Sequence, residues 1–189
     1  MRKLAVLTFV TLDGVMQAPK LPEEDPSNGF KNGGWADEYW DEVIAHVGEE
    51  AMNHPYDLLL GRKTYELFAT NNAQGSSSNP LNNYTKYVVT GSKNKLDWKN
   101  SIPITGNVVE EIAKLKSQNG LLLQVHGSQQ LIQTLLLNDL IDEFRLWTFP
   151  VIVGNGKRLF EHGCIPINLT LVKSKRTSNG VIMSIYQRK

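Results

Sequence analysis

Three times along this 189-residue chain a short apolar run closes on a glycine or small residue and passes into a polar turn. That recurrence restricts the fold more than any other feature. The run at 56–60 leads into Gly61, Arg62, Lys63 and Thr64 and then a helical stretch at 65–69. The run at 87–90, ending on Thr90, leads into Gly91, Ser92 and Lys93, and the run at 121–125 leads into His126, Gly127 and Ser128. Beyond the third turn, Leu131, Ile132, Leu135 and Leu136 share one helical face, and 108–115 has helical spacing as well. Parallel strands need a crossover long enough for a helix, so this alternation predicts a largely parallel sheet with helices on both faces.

The two ends of the chain complete the pattern. Residues 4–12 form a near-continuous apolar and β-branched run closed by Asp13 and Gly14, which suits a strand buried on both faces. Between 17 and 35 stand Pro19, Pro22, Pro26, Gly29, Gly33 and Gly34, too many breakers for a regular element and too long for a routine connection. Loops of that kind are usually functional or mobile. Residues 37–52 place Tyr39, Trp40, Val43, Ile44, Val47 and Met52 at helical spacing behind an acidic start, where the helix dipole favours negative charge. At the other end, 141–149, 170–177 and 181–186 read as strands, and Ser178, Asn179 and Gly180 as a hairpin turn that gives the sheet an antiparallel edge. Residues 71–83, with three consecutive serines and five asparagines, form a polar surface excursion, so 1–189 reads as a single domain.

Composition excludes several classes of function. Twenty Lys and Arg against 19 Asp and Glu leave a formal charge of +1, without the basic field of a nucleic-acid binder. The one cysteine, Cys164, cannot close an internal disulfide, and no Cys or His cluster has metal-ligand spacing, so no metal is expected. Cys164 reads as a small apolar residue beside a turn in a reducing compartment. Arg2 and Lys3 ahead of an apolar run look like a signal peptide, but Asp13 and Gly14 interrupt it too early for that or for a membrane span. The expectation is a cytoplasmic protein with no membrane partner.

In open α/β sheets ligands bind outside the carboxyl ends of the strands, and free amides at a helix start attract phosphate. Gly61 with Arg62, Lys63 and Thr64 offers close approach, two cations and a hydroxyl. A glycine after a strand is by itself a tight turn; three such turns together point to a nucleotide site. No Walker motif is present, and the 154–159 stretch, Gly154, Asn155, Gly156, Lys157, Arg158 and Leu159, lacks a third glycine and follows Pro150 outside any βαβ unit. Basic residues near two of the turns suit an extra ribose phosphate and favour NADP over NAD.

Taken together, these residues resemble the dihydrofolate-reductase-like superfamily, and within it the C-terminal reductase domain of the riboflavin-biosynthesis deaminase/reductase. The resemblance spans nearly the whole chain. It is carried by Thr11, Leu12, Asp13 and Gly14; by Gly61, Arg62, Lys63, Thr64 and Tyr65; and by Val125, His126, Gly127 and Ser128 through Leu140, Ile141, Asp142 and Glu143 to Pro150, Gly154, Gly156, Leu159 and Phe160. It implies a three-layer α/β/α fold with a mixed, mostly parallel sheet, bound NADPH and often a homodimer. By motif it implies that Gly61, Arg62, Lys63, Thr64, Thr90, Ser92, Lys93, Gly127, Ser128, Gln129 and Leu131 hold the cofactor. Asp13, Trp35, Val153, Gly154 and Gly156 would border nicotinamide and substrate. The chain departs from the riboflavin reductases in having His126 where they have an acidic residue, and its Gly61 turn is closer to that of true dihydrofolate reductases. Those enzymes hold substrate with a carboxylate on the first helix, where only Asp37, Glu38 and Asp41 are available, without a clear match.

Hydride transfer needs the nicotinamide set against an electron-poor ring, water excluded and one proton supplied. Asp13 and His126 are the candidate catalytic groups, against their roles as a turn former and a structural histidine. Trp35 either stacks on a planar ring or anchors the long loop. Lys157 and Arg158 either meet a substrate phosphate or form a solvated turn. His46, His54 and His162 have no partner motif, and Trp40, Trp98 and Trp147 read as core or interface. The expected activity is NADPH-dependent reduction of a small heterocycle: a pyrimidine with a ribosylamino group first, a folate or pterin second. The rivals are a non-catalytic dimeric NADP-binding protein and a structural subunit.

Overall fold

The computed structural model describes residues 1–50, 54–73, 80–91, 96–161 and 164–189. Their elements in chain order are β1 (Leu4–Thr11), α1 (Trp40–Glu50, after a 3₁₀ turn at Asp37–Tyr39), β2 (Tyr56–Gly61), α2 (Arg62–Ala73), β3 (Lys86–Val89), β4 (Ser101–Ile104), α3 (Val108–Ser117), β5 (Leu122–Gly127), α4 (Gln129–Leu137), β6 (Glu143–Phe149), β7 (Leu169–Arg176) and β8 (Ile182–Arg188). The strands hydrogen-bond in the order β4-β3-β2-β5-β1-β6-β8-β7. β1 is buried at all but one of its positions, as its unbroken apolar run predicts. Among the described residues no helix is long and apolar enough to cross a membrane.

The chain divides into two compact units, Met1–Ala5 with Pro55–Ile141 and Val6–His54 with Asp142–Lys189. In the first, β4, β3, β2 and β5 pair in parallel. Every residue of β2 is buried. α3 is capped by the Asn107 side chain accepting the Glu110 N–H, has Glu110 and Glu111 in its first turn and Lys114 and Lys116 in its last, and buries Ile112 and Leu115. The four leucine and isoleucine positions of α4 read from the sequence are all buried. Two cations lie inside this unit. The Arg2 guanidinium pairs with Asp57 and donates to the Leu121 carbonyl at 2.7 Å. Lys86 is fully buried; its Nζ donates to the carbonyls of Tyr84 at 2.7 Å and Lys99 at 3.1 Å and sits 4.3 Å from the Trp98 ring centre.

Sequence patterning missed β4. It is four residues long, carries Pro103 and is half exposed, and proline is tolerated only on such an edge. β5 also runs farther than expected, so that His126 and Gly127 end the strand and do not begin a turn.

In the second unit β6, β8 and β7 form the antiparallel edge, with Gly180 at φ +93° in the hairpin turn. Glu42 of α1 accepts the Ser178 N–H at 2.6 Å and its hydroxyl at 2.8 Å, which fixes helix to turn. The core gathers Leu7, Val43, Val47, Trp147, Phe149 and Met183 with residues of the long loop, Ala18, Phe30, Trp35 and Ala36. Rich as it is in prolines and glycines, the 17–35 stretch is therefore packed: the Gln17 side chain donates to the Asp25 and Ser27 carbonyls at 2.9 and 3.0 Å.

Candidate functional site

In the first unit two of the expected turns come together. β2 ends at Gly61 and α2 starts at the next residue; β5 ends at Gly127 and α4 starts after Ser128. The two strands are neighbours, and a register shift between Leu59 and Leu60, opposite Val125 and Gly127, makes His126 the extra residue of a bulge. A Cβ on Gly61 would fall onto the Ser128 hydroxyl and lie 2.9 Å from its backbone nitrogen. A Cβ on Gly127, at φ +150°, would lie 2.7 Å from the Thr64 hydroxyl. Each glycine is thus required by the opposite turn. The Gly127–Ser128 peptide is cis.

Around this junction Arg62 pairs through Nε with Glu66 at 2.6 Å and lies over the Tyr65 ring, while its Nη1 is buried without a hydrogen-bond partner among the described residues. Lys63 is exposed, Thr64, Ser128 and Gln129 are half-buried, and Leu131 is buried in the core face of α4. Thr90 is buried, with its N–H on the Ile104 carbonyl at 3.1 Å. Ser92 and Lys93, the remaining expected cofactor residues, lie outside the described residues, as does His162. The His126 ring packs between Tyr56, stacked at 6.5 Å, and Phe68, edge-on at 6.0 Å, with a ring nitrogen 2.9 Å from the Gln124 amide nitrogen.

In the second unit, of the residues expected beside the substrate, Asp13 comes together with Val153 and Gly154. Asp13 accepts the Thr11 hydroxyl at 2.6 Å, the Val153 N–H at 3.3 Å and the Gly154 N–H at 2.9 Å. Arg158 closes the ring: its Nη2 lies 3.6 Å from the Asp13 carboxylate, its Nε donates to the Asp13 carbonyl at 2.9 Å and Nη2 to the Gly154 carbonyl at 3.0 Å. Burial pushes the Asp13 carboxyl up, but the hydrogen bonds from Thr11, Gly154 and Val153 outweigh it and hold the group below the ordinary aspartate value. Gly156, at φ +126°, leaves no room for a Cβ, which would meet Val15 at 2.7 Å and Phe30 at 2.8 Å. Trp35 is 9% exposed, donates its indole N–H to the Gln17 carbonyl at 2.8 Å and sets its ring edge-on to Phe149, which is the geometry of a loop anchor.

Lys157 and Arg158 are committed within the protein. Lys157 Nζ reaches the Asp25 carboxylate at 2.5 Å and the Ser27 hydroxyl at 2.7 Å, and its N–H reaches the Gln17 side chain at 3.0 Å. Burial raises the Asp25 carboxyl, and the Lys157 and Ser27 hydrogen bonds more than reverse that, so it too sits below its ordinary value. Gln17, Asp25 and Ser27 are the residues sequence reasoning did not find; no motif marks them, since their partner Lys157 lies 140, 132 and 130 positions away in the chain. On the first helix, Asp37, Glu38 and Asp41 are exposed and Asp37 pairs with Lys20 at 2.6 Å, whereas the buried positions are Val43 and Val47. His46 lies between Glu42 and Glu49, at 3.9 and 3.6 Å, and His54 is exposed.

Over nearly its whole length the chain is similar to two uncharacterized proteins of Bacillus subtilis (strain 168). YyaP is 31% identical over 196 residues, covering 98% of this chain and 94% of YyaP; YwjB is 27% identical over 184 residues, covering 95% of each. Among solved structures it is similar to a Shewanella sp. PV-4 protein named "Putative riboflavin biosynthesis protein", with TM-score 0.68, 20% identity and 99% of both chains covered. It is also similar to the dihydrofolate reductase of Enterococcus faecalis complexed with NADP(H) and RAB-propyl, with TM-score 0.66, 15% identity, and 99% of this chain and 96% of that one covered. These likenesses establish a dihydrofolate-reductase-like α/β fold with a mixed, mostly parallel sheet and a C-terminal antiparallel hairpin. The model of the RibD C-terminal domain matches residues 2–183, and the chain belongs to that family.

Proposed function

We propose that this chain is an NADPH-dependent reductase of a small heterocyclic substrate. The observation that carries the reading is the junction of Gly61 with Ser128 and of Gly127 with Thr64, two strand ends each followed by a helix start. Helix starts present free N–H groups and a partial positive charge, which suit a diphosphate. The residues present fit NADPH: the two glycines let the turns pack together, which sets the Ser128 and Thr64 hydroxyls beside the two helix starts, and Arg62, whose buried Nη1 has no hydrogen-bond partner among the described residues, and exposed Lys63 supply donors for a ribose phosphate. Gly61, Arg62, Lys63, Thr64, Thr90, Gly127, Ser128 and Gln129 would hold the cofactor, with Leu131 behind them in α4. When bound, the nicotinamide supplies a hydride.

The chain's own contribution in the second unit is a rigid wall, Val153 to Gly156, held by Asp13 and Arg158. Membership in the RibD C-terminal domain family supports a pyrimidine bearing a ribosylamino group as substrate. The exposure of Asp37, Glu38 and Asp41, with Val43 and Val47 at the buried positions, weighs against a pterin bound through a carboxylate on the first helix. Calorimetric titration of the protein with NADPH and with NADH tests the reading. Saturation by NADPH in clear preference to NADH, followed by NADPH oxidation on adding the ribosylaminopyrimidine, is the expected result. Saturation by neither nucleotide would remove the cofactor and leave a likeness in fold alone.

A further inference from the structure

We propose that Asp13 is a positioning residue, an anionic bracket that builds the 153–158 segment for substrate, and is not the proton donor. This rests on the reading that the 153–156 wall borders the substrate, and it deepens that reading by assigning what shapes the wall. Both carboxylate oxygens are engaged. Oδ2 accepts the Gly154 N–H at 2.9 Å, and Oδ1 accepts the Thr11 hydroxyl at 2.6 Å and the Val153 N–H at 3.3 Å. An ionised carboxylate is an acceptor only, and one that receives several N–H and O–H donors is stabilised in that form.

The segment is shaped around this anion. Gly154 adopts φ +84°, a conformation L side chains rarely take, while its N–H reaches Asp13 and its carbonyl is held by Arg158 at 3.0 Å. The same guanidinium returns to the Asp13 carbonyl at 2.9 Å, so residues 13, 154 and 158 close one ring of bonds. Upstream, the Leu12 N–H bonds the Val151 carbonyl at 2.9 Å, and downstream the Lys157 N–H bonds Gln17 at 3.0 Å. Those flanking bonds hold the ends of the segment. For the Val153 and Gly154 amides, Asp13 is the acceptor.

The test is amide hydrogen exchange on the full chain carrying Asp13→Asn, which keeps the shape but turns one acceptor oxygen into an NH₂ group. The expected result is exchange at Val153 and Gly154 faster by about tenfold or more, with the β2 amides unchanged. Asp13→Glu, which keeps the charge but displaces both oxygens, should show the same localised effect at Val153 and Gly154 to a smaller extent and serves if Asp13→Asn does not fold. In turnover, Asp13→Asn should raise KM for the heterocycle with kcat within about threefold of the parent, and Asp13→Glu should recover part of the loss. Unchanged exchange at 153 and 154, or an equal rise throughout the chain, would overturn the bracket. A collapse of kcat at unchanged KM, with a displaced pH profile, would make Asp13 the proton donor after all. Should no heterocycle be reduced, the exchange experiment still decides the bracket, and the NADPH titration separately decides the reductase reading.

Discussion

Gly61 and Ser128, at the ends of neighbouring parallel strands, lie so close that a Cβ on the glycine would stand 2.9 Å from the serine backbone nitrogen. Backbone cannot yield as the tip of a long side chain can. Gly61→Ala should therefore move the Ser128 turn, lowering NADPH affinity at least about tenfold and costing about 1–3 kcal/mol of stability, as overpacking does. Gly48→Ala in α1 is the control, since among the described residues nothing lies within 4 Å of the position a Cβ would take there. Thermal melts and calorimetric titration of both variants check the pair; equal behaviour would deny the close junction any role in binding.

Arg62 offers a buried Nη1 with no partner among the described residues and an Nε held by Glu66. Arg62→Ala should lose about 10- to 150-fold in NADPH affinity while leaving NADH affinity unchanged, because a guanidinium facing a ribose phosphate is worth on the order of 1.5–3 kcal/mol in charge-assisted bonds. An equal loss for both nucleotides would place Arg62 on the diphosphate and not on the ribose phosphate.

Burial pushes the Lys86 ammonium down from an ordinary 10.5 to about 8, with the nearby Lys99 charge adding to the effect. Below pH 8 the lysine is protonated folded and unfolded alike, and its burial cost is fully present. Between pH 8 and 10.5 the unfolded chain holds a proton the folded protein has released, so stability from this group rises with pH across that window. Denaturant unfolding of the parent and of Lys86→Met should show the parent gaining on the variant from pH 8 to 10. A constant difference would mean that Lys86 keeps its ordinary value.

Trp35 donates to the Gln17 carbonyl and meets Phe149 edge-on. Trp35→Phe keeps the ring and deletes the donor, which should cost about 1 kcal/mol, or a melting shift of about 2–4 °C, with little change in substrate KM. A larger effect on KM than on melting would give the indole a substrate contact.

Where local residues decide structure, the sequence was legible. The glycine-closed strands appear as β2, β3 and β5, the leucine and isoleucine face of α4 is buried, and Ser178, Asn179 and Gly180 make the hairpin turn, because pattern and turn chemistry act over a few residues. β4 escaped because Pro103 breaks the pattern that identifies an interior strand, and an edge position tolerates it. His126 looks like part of a turn in the sequence because a one-residue bulge against β2 leaves no trace in composition.

The sequence by itself determined the order of elements apart from β4, the parallel sheet with its antiparallel end and the family, since apolar periodicity and glycine positions are properties of short stretches. Only the tertiary structure decided what the charged residues do. Asp13 meets Gly154 across 141 positions and Lys157 meets Asp25 across 132, so groups that look like a free carboxylate and a solvated basic turn are spent on holding two loops. The physical reason is that a hydrogen bond is satisfied by distance in space, and folding, not spacing along the chain, sets which donors and acceptors arrive within 3 Å of each other.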